Sequence, residues 1–135
     1  MNIQIVNDRI EWICDKCERP IADGEGIVCC DEAAASDRHR RVTDFDEAHG
    51  PDMSIAELLA RPQDTPWQAL HNSCLPEDEV GPYGFGVQRI RTPWEMLAWT
   101  EHLLAIHWIY EDTDWLSVVK HLAAVGGSPT IPEPL

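Results

Sequence analysis

Apolar and polar side chains alternate near the start of the chain, with Ile3, Ile5, Ile10 and Trp12 on the apolar beat and Asn7-Asp8 between the two runs. A period of two with a polar pair at its centre predicts a β-hairpin closed by a two-residue turn. The second run leads straight into Cys14-Asp15-Lys16-Cys17. Pro20 and the stretch Asp23 to Gly26 carry turn chemistry, and the short β-branched run Ile27 to Cys30 predicts a further strand. From Asp31 to Asp52 charges of both signs mix without apolar period, so an irregular insertion is expected over about residues 31–64. Within it, Ser54 and Glu57 form a capping box, and Ile55, Leu58 and Leu59 share one face of a short helix that Pro62 ends. Trp67 and Leu70 bring the chain to His71 and Cys74, and glycines 81, 84 and 86 around Tyr83 to Ile90 suggest a second hairpin.

The period then changes. Thr92, Pro93 and Glu95 supply an N-cap, a proline at the first helical position and a capping-box glutamate, so a helix begins there and is expected to reach about Trp108. Trp94, Leu97, Ala98, Leu104, Ala105 and Trp108 line one of its faces, while Met96, Trp99, Leu103 and Ile106 crowd the other. A helix apolar nearly all round needs cover on both sides, here from the cysteine-bearing N-terminal part and from the last helix or a second chain. That last helix spans Asp114 to about Val125, with Trp115, Val118, Val119 and Leu122 on one stripe and Gly126-Gly127 as its stop.

With 135 residues the chain has room for a single domain. The elements divide it into a part over about residues 1–80 that carries all five cysteines and the irregular insertion, a hairpin and helical part over 81–127, and a flexible proline-rich tail over 128–135. The 24 acidic against 10 basic side chains leave a net charge of −14, which repels phosphate backbones and anionic membrane surfaces and makes nucleic acid an unfavoured partner. The basic run Arg38 to Arg41 is too short to reverse that balance and reads as a solvated loop. Met1 to Ile5 lack the basic start and apolar run of a signal peptide, and no stretch has the length of a membrane span, so a cytoplasmic location without a membrane partner is expected. In a reducing compartment five cysteines point to metal ligands or buried thiols before disulfides.

The chemistry-bearing pattern is the repeated spacing Cys14-x2-Cys17 and His71-x2-Cys74. Three thiolates and an imidazole complete a tetrahedral zinc set, and each spacing lets one tight turn present two donors to one ion. Such a site is closed: it organises a fold and leaves no coordination position for water. Glu18-Arg19-Pro20 after the first pair favours a metal knuckle over a redox dithiol, which would open a helix. The gap of 53 residues between Cys17 and His71 must be filled by the insertion. Cys29 or Cys30 is an alternative ligand, although adjacent strand residues point to opposite faces, so at most one reaches the ion, and the simpler reading packs one inward and leaves the other peripheral. His39 and His49 can be read as a weaker second site in the insertion. His102, His107 and His121 lack ligand spacing.

The strings Trp12 to Ile21 and Trp67 to Cys74 resemble the first zinc module of LIM-type and treble-clef-like fingers, in which CxxC followed by Pro-Ile meets a tryptophan-led HxxC. Taken with Ile21 to Gly26 and the Trp94-to-Trp99 helix, the chain is similar to small actinobacterial and actinophage zinc-finger-like proteins. That resemblance implies Cys14, Cys17, His71 and Cys74 as the ligands and an accessory or phage-encoded role. The expected architecture is therefore α+β, a small zinc-stabilised hairpin module with two C-terminal helices packed on it. No nucleophile-base pair, P-loop or HExxH is present, so a non-catalytic protein-recognition role is expected. Six tryptophans exceed what a small core uses, which nominates Trp94, Trp99, Trp108 and Trp115 for an interface, a homodimer being its simplest form. The competing readings are a nucleic-acid-directed regulator or acidic DNA mimic and, third, a zinc hydrolase.

Overall fold

A computed structural model of the chain describes residues 1–76 and 82–126, apart from the side chains of His107 and Trp108. Strands β1 (Asn2–Val6) and β2 (Arg9–Ile13) form an antiparallel hairpin in which Ile3 faces Trp12 and Val6 faces Arg9. Its turn residues Asn7 and Asp8 both take left-handed backbone angles, φ 52° and 60°. This is the two-residue geometry that, after glycine, asparagine and aspartate tolerate best and that matches the twist of the strands.

A second sheet has the order β4-β3-β5, antiparallel throughout, from β3 (Gly26–Cys30), β4 (Trp67–His71) and β5 (Tyr83–Gly86). Gly26 pairs with His71 and Cys30 with Trp67 on one side, and Ile27 with Gly86 and Cys30 with Tyr83 on the other. The expected second hairpin over Tyr83 to Ile90 is therefore a single strand followed by a 3₁₀ turn, Val87–Arg89. Its pairing partner is β3, more than fifty residues upstream, which no local pattern announces.

The segment expected to be irregular is an 18-residue helix, α1 (Glu32–His49). Asp31 caps its start by accepting a hydrogen bond from the Ala34 N–H at 3.0 Å, and Gly50 ends it at φ 71°. Its buried residues Ala35, Arg38 and Val42 fall at helical spacing, but the middle one is an arginine, so an apolar-period reading passes over them. Between Arg38 and the protein stands a network: Nη1 donates to Asp112 Oδ1 at 2.8 Å and to the Glu111 carbonyl at 3.2 Å, and Nη2 donates to the Pro62 carbonyl at 3.3 Å and pairs with Asp64 at 3.1 Å. His39 Nδ1 lies 2.9 Å from the other Asp112 oxygen. The short helix α2 (Ile55–Leu59) has its Ser54-Glu57 capping box in place.

The helix that begins after Thr92, α3 (Pro93–Ala105), has the expected capping box and N-terminal proline. It stops earlier than expected: Ile106 leaves helical geometry at φ −103°, ψ 83°, and α4 (His107–Asp112) follows at once. No glycine or proline marks the break. Its physical reason is rotational, because a straight helix advances about 100° per residue and would carry Ile109 roughly 140° away from the core-facing Met96. Breaking the axis lets Ile109 and Asp112 both be buried. The last helix, α5 (Trp115–Val125), buries Trp115 and Val118 as its stripe predicts, with Val119 and Leu122 partly covered.

The core lies between the two sheets and the C-terminal helices, centred on Trp12, Trp67, Phe85 and Trp115. The Trp67 and Trp115 rings meet edge-on with centroids 5.0 Å apart, and Trp99 stacks on Phe85 at 4.0 Å. Each buried indole N–H has a partner: Trp12 donates to the Ile90 carbonyl at 2.8 Å, Trp67 to Thr113 Oγ1 at 2.8 Å and Trp115 to Thr100 Oγ1 at 3.0 Å. Among the described residues no helix is long and apolar enough to cross a membrane.

Candidate metal centre

The first pair of donors belongs to the turn that leaves β2. The Cys14 N–H donates to the Arg19 carbonyl at 2.9 Å and the Glu18 N–H to the Cys14 carbonyl at 2.9 Å, closing a tight loop around Cys17. Glu18 takes φ 61°, the left-handed residue that turns the chain back after the second cysteine. The second pair leaves β4: His71 is its last residue, and Asn72–Cys74 form one 3₁₀ turn that swings Cys74 toward the same point.

Two sets of hydrogen bonds lock the turns together. Asp15 donates its N–H to the Ala69 carbonyl and accepts the Ala69 N–H on Oδ2, both at 2.8 Å, which ties the knuckle to β4. The Asn72 N–H donates to the Glu25 carbonyl at 2.9 Å. The start of β3 passes so close that a Cβ on Gly26 would lie 2.5 Å from the Leu70 carbonyl oxygen and 2.6 Å from Ile21 Cγ2. Only glycine fits that crossing without a shift.

The result is that the donor atoms of Cys14, Cys17, His71 and Cys74 all lie within 4.8 Å of one another, close enough to hold a metal ion. A tetrahedral ion with bonds of about 2.0 to 2.3 Å would separate its donors by roughly 3.5 to 3.8 Å. The observed set brackets that spacing, from 3.1 Å between Cys17 Sγ and His71 Nδ1 to the 4.8 Å limit. His71 turns its other ring nitrogen, Nε2, to the Pro20 carbonyl at 3.1 Å. A proton on Nε2 leaves Nδ1 as the free donor, an arrangement common to metal-bound histidines. Cys14 is buried and the other three are half-buried.

Electrostatics in the cluster fit a cation. Burial pushes the Cys14 thiol up, but the backbone N–H groups of Cys17, His71 and Lys16 outweigh it together and bring the thiol down to about 6. Against a similar desolvation, Arg19 draws the Cys17 thiol down. Cys74 goes the other way, raised by burial and by the crowding of Cys14 and Cys17. Three sulfurs so close together repel as thiolates, and a divalent ion relieves that repulsion. Cys30 is the contrast, a thiol pushed up to about 12 by burial and by Cys29, Asp31 and Glu32 around it. Cys29 and Cys30 are both buried on β3 and neither joins the donor group, so the expectation that one would be peripheral is corrected: β3 is the middle strand of its sheet, and both thiols, although on opposite faces, are packed into the core cluster. His39 faces Asp112, and His49 stacks on Phe45; among the described residues the four-donor group is the one convergence of metal ligands.

The tryptophans nominated for an interface separate. Trp94 is exposed on α3, Trp99 is half-buried against Phe85, and the Trp108 side chain lies outside the described residues. Trp115 is fully buried and is withdrawn as an interface residue, because the first turn of α5 is what closes the core over Trp67. The expectation of cover on both faces of α3 is likewise not met among the described residues: Met96 and Leu103 are buried, whereas Trp94, Leu97 and Leu104 are 79%, 60% and 47% exposed. The basic run Arg38 to Arg41 sits on α1, with Arg38 held by Asp112 and Asp64 and both Arg40 and Arg41 paired to Asp37. Residues that sequence reasoning missed are Arg38, whose signals were the aspartate N-cap at Asp31 and the helical spacing 35-38-42, and Asp112, which no local pattern marks. Comparison with family models, with curated proteins and with solved structures returns no match for this chain.

Proposed function

We propose that the chain is a zinc-stabilised, non-catalytic protein-recognition module. One zinc ion held by Cys14, Cys17, His71 and Cys74 pins the N-terminal hairpin to the three-stranded sheet. Three cysteines and a histidine are a donor set suited to zinc, and four protein ligands leave no position for an activated water, which argues against a hydrolase. The likeness of the two ligand strings to LIM-type fingers supports the same reading. Zinc here fixes the platform, and recognition falls to α3.

The observation that carries the proposal is the outer face of α3. Trp94, Leu97 and Leu104 stand exposed together on one side of a helix whose other side is core. Large aromatic and aliphatic side chains grouped on a surface are the usual anchors of protein interfaces. Arginine charges that would serve a nucleic-acid reading are instead tied to aspartates. The test is affinity capture with the zinc-loaded full chain against a Trp94→Ser variant of equal melting temperature. A protein retained by the first and lost by the second supports the reading; identical captures, together with unchanged hydrodynamic size, refute it.

A further inference from the structure

Helix α2 poses a separate question. Its three large aliphatic side chains, Ile55, Leu58 and Leu59, are 78%, 52% and 75% exposed, and none of its residues is buried. The apolar face therefore contributes nothing to the core, and folding alone gives no reason for it. Yet the helix is held firmly. Ser54 and Glu57 cap it reciprocally, and just beyond it Arg61 grips Asp46 of α1 with two hydrogen bonds, Nε at 2.9 Å and Nη2 at 2.6 Å. Anchors at i, i+3 and i+4 on a fixed short helix are the pattern by which one helix docks against another. Beside them a groove of about 540 Å³ opens between the end of α1 and α2, with Met53 and Leu58 as its apolar wall and Asp46 and Glu47 on its polar side.

Charge selects the occupant. From Asp44 to Ala60 the chain carries five acidic residues, Asp44, Asp46, Glu47, Asp52 and Glu57, and no lysine or arginine. Arg61 neutralises Asp46 and His49 lies 4.0 Å from Glu57, whereas among the described residues no ion pair forms to Asp44, Glu47 or Asp52, so the patch keeps a net negative rim. A second copy of this chain would bring the same rim against itself, within a pair of molecules each carrying a net charge of −14. Like charges so placed oppose docking, and opposite charges steer it. We infer that the α2 face and its groove bind a cationic amphipathic helix of another protein, its apolar side on Ile55, Leu58 and Leu59 and its lysines or arginines toward Glu47, Asp52 and Asp44. This surface is separate from the α3 face, and the inference stands or falls independently of it.

The experiment uses the full, zinc-loaded chain and a fluorescein-labelled synthetic amphipathic helix of leucine and lysine, with its leucine and glutamate counterpart as control, followed by anisotropy. The lysine peptide is expected to bind, and Ile55→Ser and Leu59→Ser to weaken it by about fivefold or more each. Glu47→Gln with Asp52→Asn is expected to weaken it further and to flatten its salt dependence. Trp94→Ser, on α3, is expected to leave it unchanged, which separates this site from the recognition face proposed above. Binding that Ile55→Ser and Leu59→Ser do not alter would show attraction to charge alone and overturn the inference. So would equal binding of the glutamate peptide, or a wild-type dimer that Leu59→Ser dissolves, since the occupant would then be a second copy.

Discussion

The Arg38–Asp112 pair offers the sharpest test of how this fold is held together. Both side chains are withdrawn from water, 11% and 2% exposed, and they join α1 to the end of α4 across a sequence separation of 74 residues. Replacing Asp112 with alanine removes the carboxylate that faces Nη1 and leaves a guanidinium that cannot deprotonate in a nearly closed site. Breaking a buried pair from one side costs about 3 to 5 kcal/mol. Asp64 stays in contact with Nη2 at 3.1 Å, but it is half exposed, and Arg38 Nε has no partner among the described residues even before the substitution. The low end of the range, about 3 kcal/mol, is therefore expected, a large share of the roughly 5 to 15 kcal/mol that holds a domain together. For a chain of this length that corresponds to a fall in Tm of roughly 10 °C. Contact with His39 adds little, because that ring is mostly exposed. The assay is urea denaturation followed by tryptophan fluorescence in zinc-containing buffer, on Asp112→Ala, Arg38→Met and the double variant Arg38→Met/Asp112→Leu. Removing both charges removes the stranded one, so the double variant is expected to recover at least about 1 kcal/mol relative to Asp112→Ala. A loss under about 1 kcal/mol for Asp112→Ala, or a double variant as unstable as the single, would refute the view that the pair is buried and coupled.

Three further outcomes follow from particular residues. Elemental analysis of protein purified without chelator is expected to give one zinc per chain, falling in Cys74→Ser but holding at one in Cys29→Ser and Cys30→Ser, and chelation is expected to melt the β1–β2 hairpin and the adjoining turns first, by hydrogen exchange. Cys30 has its thiol raised in the folded state to about 12 from an ordinary 9.0, so the folded chain holds a proton there that the unfolded chain releases; that stabilisation is complete below pH 9 and drains away as pH rises toward 12, and stability measured from pH 8 to 10 should decline less in Cys30→Ala than in the wild type. Trp94→Ser is expected to leave Tm within about 1 °C, because the ring is exposed, whereas Trp115→Ala should cost about 3 to 5 kcal/mol by emptying the contact with Trp67.

Local chemistry was fully legible in the sequence wherever a few neighbouring residues decide the outcome. Asn7-Asp8 specify their turn because both accept left-handed angles, Thr92-Pro93-Glu95 and Ser54-Glu57 specify helix starts because their side chains satisfy nearby backbone groups, and the two x2 spacings specify ligand turns because one tight loop can aim two donors at a point. Convergence of the two ligand pairs was also legible, since the chemistry of the donor set requires it whatever lies between. Tertiary structure alone decided how the 53 intervening residues allow it: β3 and β4 pair antiparallel and carry α1 and α2 as a helical excursion from their far ends. It also decided that α1 is a helix at all, because its inward face is completed by an arginine whose burial makes sense only opposite Asp112, a residue from another element. The break at Ile106, the single strand β5 and the two exposures of α3 have the same origin. Each depends on which distant surface arrives against a given residue, and a one-dimensional period records that a side chain is apolar without recording whether anything comes to cover it.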